Sequence, residues 1–357
     1  MISENFQIDK TLIGEGAPTY FIADIAANHD GSLDRAKNLI WLAKEAGADA
    51  AKFQHFRASE IVSSYGFLNL NDSESHQSSW KKSVIETYLD ASVPREWTSE
   101  LRKTCDVAGI TFLSTPYDFD SVDLLDEYVA AYKIGSGDID WLELIQYIER
   151  KNKPLIVATG ASNFVETERV VNLLKSSPNM FAVLQCNTNY TAHRENYSHI
   201  NLKVIELFKE TWPGLVVGLS DHSRGYAAVL GAITLGAKII ERHFTDDVSR
   251  EGPDHKFATT PSEWKAMVEE SRLLELALGE KQKEICENER VSLIVQRRCI
   301  RANSNLKFGN KLKRSDLSVL RPATPGSIRP DEIDRVIGRT LKVDIETGKE
   351  LRWSDIE

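Results

Sequence analysis

The sequence predicts an α/β protein, a (β/α)8 TIM barrel followed by a small C-terminal domain. Short β-branched runs alternate with amphipathic helical stretches eight times before Gly279. A helix–glycine–strand joint recurs, once in AGADAAKFQ (46–54) and again in LGAKIIERH (235–243). No glycine-rich dinucleotide turn follows the first strand, as a doubly wound open sheet would require.

The first strand is expected over Tyr20–Ala26. Ser32 then caps a helix whose apolar side is Leu33, Ala36, Leu39, Ile40 and Ala43, and Gly47 ends it where a left-handed residue is wanted. The second strand, Ala48–His55, follows at once. The others are expected at Thr111–Pro116, Ala131–Ser136, Pro154–Gly160, Phe181–Cys186, Leu215–Ser220 and Ala237–Phe244. One interruption, Arg57–Pro94 with its polar stretch Asn69–Ser79, has the length of a lid or binding element. The barrel is expected over 1–280, a charged linker over 281–290, and a small domain over 291–357 with turn signals at Phe308-Gly309-Asn310 and Pro325-Gly326.

The 357 residues are 41% hydrophobic and 27% charged, a composition that buries a sizeable core. A net charge of -9 argues against general affinity for nucleic acid or anionic membrane. No apolar run is long enough to span a membrane, and residues 1–10 do not read as a secretory leader. Cys105, Cys186, Cys286 and Cys299 have no framework or CxxC spacing, so they read as reduced thiols of a cytoplasmic protein.

Barrel chemistry sits at the carboxyl ends of the strands. The polar residues there are Asp24, Asn28 and His29; Lys52 and Gln54; Ser114 and Thr115; Lys133, Ser136 and Asp138; Thr159; Asn187 and Tyr190; Ser220, Asp221 and His222; and Glu241 and His243. Period-two alternation puts Lys52 with Gln54, and Glu241 with His243. Lys52 and Lys133, with hydroxyls from Thr115, Ser136 and Ser220, could cradle a phosphate or carboxylate. They could equally pair with Asp24, Asp138 or Glu241 in a structural network, or form a Schiff base. His222 and His243 close neighbouring strands about 4.8 Å apart and could share a divalent metal, or simply hydrogen-bond to Asp221 or Glu241. The other six histidines, His76, His193 and His199 among them, are expected in solvent, as are Arg297 and Arg298. Asp246, Asp247, Asp254 and His255 follow the eighth strand, where a loop can fold over the pocket or form only a polar turn.

Taken in order, FIADIAANHDGS, GADAAKFQ, FLSTPYD, AYKIGSGD, ATG, GLSDHS, GAKIIERHF and EGPDHKF resemble the motif series of the sialic acid synthase family. The tail from about Val291 is similar to the antifreeze-like (SAF) domain that follows the barrel in that family. The resemblance implies condensation of phosphoenolpyruvate with N-acetylmannosamine or a 2,4-diacetamido sugar, giving a sialic, legionaminic or pseudaminic acid. It implies that His222 and His243 ligate manganese or magnesium, and that Lys52, Thr115, Lys133, Ser136 and Ser220 contact phosphoenolpyruvate. Gln54, Asp138, Tyr190 and Asp254 match positions around the sugar, and Asp24 is the candidate to orient or deprotonate water. Arg321, in LRPAT, matches an arginine that the small domain inserts into a neighbouring barrel, which implies a domain-swapped homodimer.

Three positions depart from the family pattern. Asp24 stands where many members have glutamate, Ala158 where many have a serine on the phosphate, and Gln185 where a histidine is common. Thr159 or backbone would have to replace that serine. The GPDH segment, Gly252–His255, looks more like the sialic and legionaminic enzymes than the pseudaminic ones. Two rival readings remain: a 3-deoxy-octulosonate-type synthase acting on a sugar phosphate, and a carbohydrate-binding protein with an inactive barrel.

Overall fold

The computed structural model describes residues 2–70, 77, 80–191 and 193–357, so His76 and most of the polar stretch 69–79 lie outside the described residues. The chain divides into two compact units, Met1–Gly279 and Glu280–Glu357.

The first unit opens with an antiparallel hairpin, β1 (Asn5–Ile8) and β2 (Thr11–Gly14), that the sequence reading did not anticipate. Eight parallel strands follow: β3 (Tyr20–Asp24), β4 (Ala50–His55), β5 (Thr111–Pro116), β6 (Tyr132–Ile134), β7 (Leu155–Ala158), β8 (Phe181–Cys186), β9 (Val216–Asp221) and β10 (Ile239–His243). They close into a barrel in which β10 pairs with β3, as the sequence predicts. Helix α1 (Leu33–Glu45) starts at Ser32, whose hydroxyl accepts from the Arg35 amide, and Gly47 leaves it at φ 92°.

Strand periodicity sorts the side chains into two sets. Phe21, Ala51, Phe53, Phe112 and Ile240 face the surrounding helices. Tyr20, Ile22, Ala50, Leu113, Ile156, Leu184 and Ile239 fill the barrel interior, where Phe6, Ile8 and Ile13 of the hairpin join them as a floor. Gly218 makes this tier possible: a Cβ there would lie 2.5 Å from Leu184 Cδ2 and 2.3 Å from Ile239 O. Advancing each strand by two residues from this apolar tier reaches Asp24, Lys52, Thr115, Lys133, Ala158, Cys186, Ser220 and Glu241. The site is thus the next layer of the same alternation.

The long interruption after β4 is mostly helical where described, with α2 (Ala58–Ile61), α3 (Ser64–Leu68) and α4 (Val84–Ala91). A reciprocal Ser83–Glu86 capping box starts α4. The second unit holds a two-stranded sheet, β11 (Cys299–Ala302) with β12 (Leu317–Leu320). It has its own core, including Ile300, Leu312, Leu317, Ile328, Val336 and Leu351. Among the described residues no helix is long and apolar enough to cross a membrane.

If the hairpin is part of the barrel core, Ile8→Ala removes a fully buried side chain and should cost about 2–5 kcal/mol of unfolding free energy. Denaturant titration reads this directly. A loss below about 1 kcal/mol would mean that the floor packs loosely.

Candidate active site at the carboxyl ends of the strands

The polar tier opens into a cavity of about 330 Å3. Its lining includes Asp24, Lys52, Gln54, Thr115, Lys133, Ser136, Asp138, Tyr190, Ser220, His222 and His243, which brings eleven of the expected site residues together. Ile61 and Tyr88 reach it from the helical insertion, and Tyr117, Ala158, Cys186 and Glu241 complete much of the wall. Asp254 sits beside His243, its Oδ2 3.8 Å from Nδ1 and accepting from the Ala27 amide at 3.2 Å. Arg321 belongs to the second unit, exposed just after β12.

At the centre lie two lysines and two carboxylates. Lys52 and Asp24, each 2% exposed, are 2.7 Å apart. Glu241 Oε1 lies 3.9 Å from Lys52 Nζ and 3.6 Å from Lys133 Nζ. Of the open alternatives for the lysines, ion pairing with Asp24 and Glu241 is present; Asp138 is not part of it. Burial pulls Lys52 down, but the charges of Asp24 and Glu241 outweigh this and hold its ammonium above the usual range. Burial also pulls Lys133 down, and there Glu241 and Asp24 do not compensate for it and for the neighbouring Lys52. Asp138 is pushed up to about 6, by burial first and then by Asp140.

The two strand-end histidines come together with ring centroids 5.4 Å apart. His222 Nδ1 donates to Asn187 O at 2.9 Å, which in the neutral ring leaves Nε2 as a lone-pair donor; burial pulls this histidine down, but Cys186 and the Asn187 carbonyl outweigh it and hold it above the usual range. His243 is lowered to about 4, chiefly by burial, so its ring is neutral near pH 7. Neither is hydrogen-bonded to Asp221 or Glu241 among the described residues; Asp221 instead pairs with Arg242 and caps Ser223.

Several expectations need correction. His29, His55 and His255 are buried, not solvated, whereas His193, His199, Arg297 and Arg298 are exposed. His55 is held between Ser114 and Thr98 hydroxyls, and His29 packs edge-on against Trp97. Ser114 therefore faces outward, and Asn28 is spent on Phe244 O. Thr159 does not replace the missing serine at position 158, because strand alternation turns it away and its hydroxyl donates to Leu184 O. Backbone does not replace it through Gly160, whose amide donates to Ser136 Oγ. Gln185 likewise turns out of the main cavity, donating to Ile200 O. Tyr88, Tyr117 and Cys186 were not singled out by the sequence; only Cys186, a period-two neighbour of Leu184, carried a local signal.

The residues present fit a divalent cation. Asp24 Oδ1, Glu241 Oε2 and His243 Nδ1 are buried without a hydrogen-bond partner among the described residues, and the His222 and His243 rings stand beside them. Among the described residues no cluster of three or more histidine, cysteine or acidic side chains forms a ready ligand set. His222 and His243 would therefore hold a metal together with water or substrate oxygens. All four cysteines are free thiols.

A family model described as the NeuB family matches residues 39–283, and one for the SAF domain matches residues 297–357. The chain belongs to the NeuB family. It is 33% identical over 351 residues to an N,N'-diacetyllegionaminic acid synthase of Legionella pneumophila, covering 96% of each chain. It is 30% identical over 340 residues to an N-acetylneuraminate-9-phosphate synthase of Homo sapiens, covering 94% of this chain and 91% of the other. An N-acetylneuraminic acid synthetase structure from Leptospira borgpetersenii, with citrate, superposes with a TM-score of 0.71 at 26% identity, covering 82% and 96% of the two chains.

Because the charged centre is buried, removing one partner strands the others. Lys52→Met should destabilise the fold by about 3–5 kcal/mol, read by denaturant unfolding. The double variant Lys52→Met/Asp24→Leu should recover part of that loss. Equal stability of the single variant and the native chain would show that water already screens the cluster.

Proposed function

We propose that the protein is a nonulosonic acid synthase, a transferase that condenses phosphoenolpyruvate with an N-acylated amino sugar such as N-acetylmannosamine or a 2,4-diacetamido hexose, releasing phosphate. The observation that carries this is the arrangement of two buried lysines beside two strand-end imidazoles in one cavity. One set suits a phosphorylated carboxylic acid and the other a metal-assisted aldehyde. Membership of the NeuB family supports the same reading.

Lys52 and Lys133 hold the phosphoenolpyruvate anion, with hydroxyls of Thr115, Ser136 and Ser220 completing the cradle. To admit it, the lysines exchange the longer Glu241 contacts for the ligand's oxygens, while Lys52 keeps Asp24. Gln54, Asp138, Tyr190 and Asp254 orient the acceptor's hydroxyl and acylamino groups. Carbon 3 of the enol attacks the acceptor aldehyde, water adds at carbon 2, and phosphate leaves from the tetrahedral intermediate. Asp24 orients that water through Oδ1, while its Oδ2 stays on Lys52 and accepts from Gln54 at 3.3 Å. The lysines stabilise the departing oxyanion electrostatically, without a covalent bond. A divalent cation, manganese or magnesium, would be held by His222 and His243 and would supply Lewis-acid polarisation of the aldehyde. The sugar site is completed in a domain-swapped homodimer by Arg321 of the partner subunit.

The direct test incubates enzyme and phosphoenolpyruvate with a panel of free and phosphorylated aldoses and N-acetylated hexosamines, measuring phosphate release and product mass. Phosphate release should require an N-acylated sugar, stop on chelation and return with manganese or magnesium. Turnover confined to sugar phosphates without an acylamino group would favour the octulosonate-type rival. A borohydride-trapped imine with pyruvate would replace the cradle by a Schiff base, and inertness throughout would favour a binding protein.

The dimer has its own test. Arg321→Ala and His243→Ala should each be inactive, yet mixing them under conditions that exchange subunits should restore one intact site. About half the activity of a native dimer is expected, since the second site then carries both defects. Proven heterodimers without recovered activity would place Arg321 in its own subunit's site or in none.

A further inference from the structure

The loop after β10, residues 244–260, is tied to the loop after β3 and the start of α1 by a polar lattice that runs from the surface into the interior. Asn28 Nδ2 donates to Phe244 O at 3.0 Å, and Arg35 grips Asp246 through both terminal nitrogens. Asp30 accepts from Arg250 Nε and from His255 Nε2, each at 2.8 Å. His255 lies at the centre, 0% exposed. A carboxylate can only accept from Nε2 in this pair, so in the neutral ring Nδ1 accepts from the Thr245 hydroxyl at 2.8 Å. Both ring nitrogens are thus engaged, one on each loop, and the ring's orientation is determined.

Gly252 belongs to the same device. A Cβ at that position would stand 2.6 Å from His255 Cδ2, so only glycine lets the chain pass the ring. Between them lies Asp254, whose Oδ2 accepts from the Ala27 amide at 3.2 Å and comes within 3.8 Å of His243 Nδ1. The order Gly-Pro-Asp-His thereby acquires a physical meaning. The glycine clears the ring, the proline restricts the backbone, the aspartate faces the cavity's histidine, and the next residue pins the turn to the opposite loop.

We propose that His255, through its Asp30 bond, is a positioning residue that holds Asp254 against the acceptor side of the site. The proposal rests on Asp254 being an acceptor contact, as argued above. His255 itself touches no substrate. Its contribution is to hold a carboxylate within the fraction of an ångström that productive binding requires, where a displacement of about 1 Å can cost up to 10²-fold.

Four forms of the enzyme separate positioning from general support: native, His255→Phe, Asp254→Asn and the double variant. His255→Phe keeps a planar aromatic ring, somewhat larger than imidazole, and removes both bonds. It should lower kcat/KM for the acceptor about tenfold or more and leave the KM for phosphoenolpyruvate within about twofold. On the Asp254→Asn background it should add less than about twofold, because the two act as one unit. Gly252→Ala, which displaces the ring by the Cβ contact alone, should reproduce the pattern if His255→Phe folds poorly. Equal losses on both backgrounds, or a parallel rise in the phosphoenolpyruvate KM, would overturn the proposal. A readout independent of turnover keeps it separate from the synthase reading. In His255→Phe the Ala27 amide, bonded to Asp254, should exchange its hydrogen faster while the β1–β2 hairpin amides stay protected. If the native enzyme turns over no acylated sugar, the synthase reading fails; unchanged Ala27 exchange would sink the clamp whatever the substrate.

Discussion

Four charges taken out of water at the top of an apolar barrel set the terms for the rest of this structure. Lys52, Asp24, Glu241 and Lys133 lie on four different strands, and none has enough solvent to satisfy it. Their mutual attraction repays desolvation only if the strands hold them at fixed separations. The apolar tier beneath does that: Leu184 can fill the interior because position 218 is glycine, and the hairpin closes the floor below. Lys133 is the least compensated member of the four.

Much of this was legible in the sequence because a barrel strand alternates strictly. The ranges Thr111–Pro116 and Phe181–Cys186 were read end to end, and the others within about two residues at each end. The same alternation selected Lys52 with Gln54 and Glu241 with His243, and the cavity contains all four. Alternation was ignored where strand-end polar residues were gathered without regard to side, and so Ser114, Thr159 and Asp221 were included although they face away. The buried histidines were missed for a different reason. His255 and Asp30 are 225 residues apart, and each lies among polar neighbours. Local composition reads such a residue as solvated, whereas its burial depends on a partner that no local pattern reveals. The β1–β2 hairpin escaped notice because four-residue strands carry little periodic signal, and Tyr88 because its helix lies outside the barrel repeat.

The three positions that depart from the pattern expected from the resemblance each have a physical reading. Asp24 keeps its place through a 2.7 Å contact with Lys52, so the shorter side chain remains anchored. Ala158 presents only a methyl group to the cavity, and neither Thr159 nor the Gly160 amide supplies the missing donor. The hydroxyls left on that side are Ser136, Thr115 and Ser220. Gln185 is engaged with Ile200 O, away from the charged centre. None of the three positions removes a cation from the cavity wall, which keeps Lys52 and Lys133.

The hairpin floor makes the barrel a cul-de-sac. Traffic through a blind tube is last in, first out: a molecule bound deep beside the lysines must arrive before one seated nearer Ile61 and Tyr88, and can leave only after it. A second ligand therefore acts as a stopper on the first. The polar tier is then wetted from one side alone, so filling the outer seat also shuts out bulk water, leaving inside only the water molecules already trapped there.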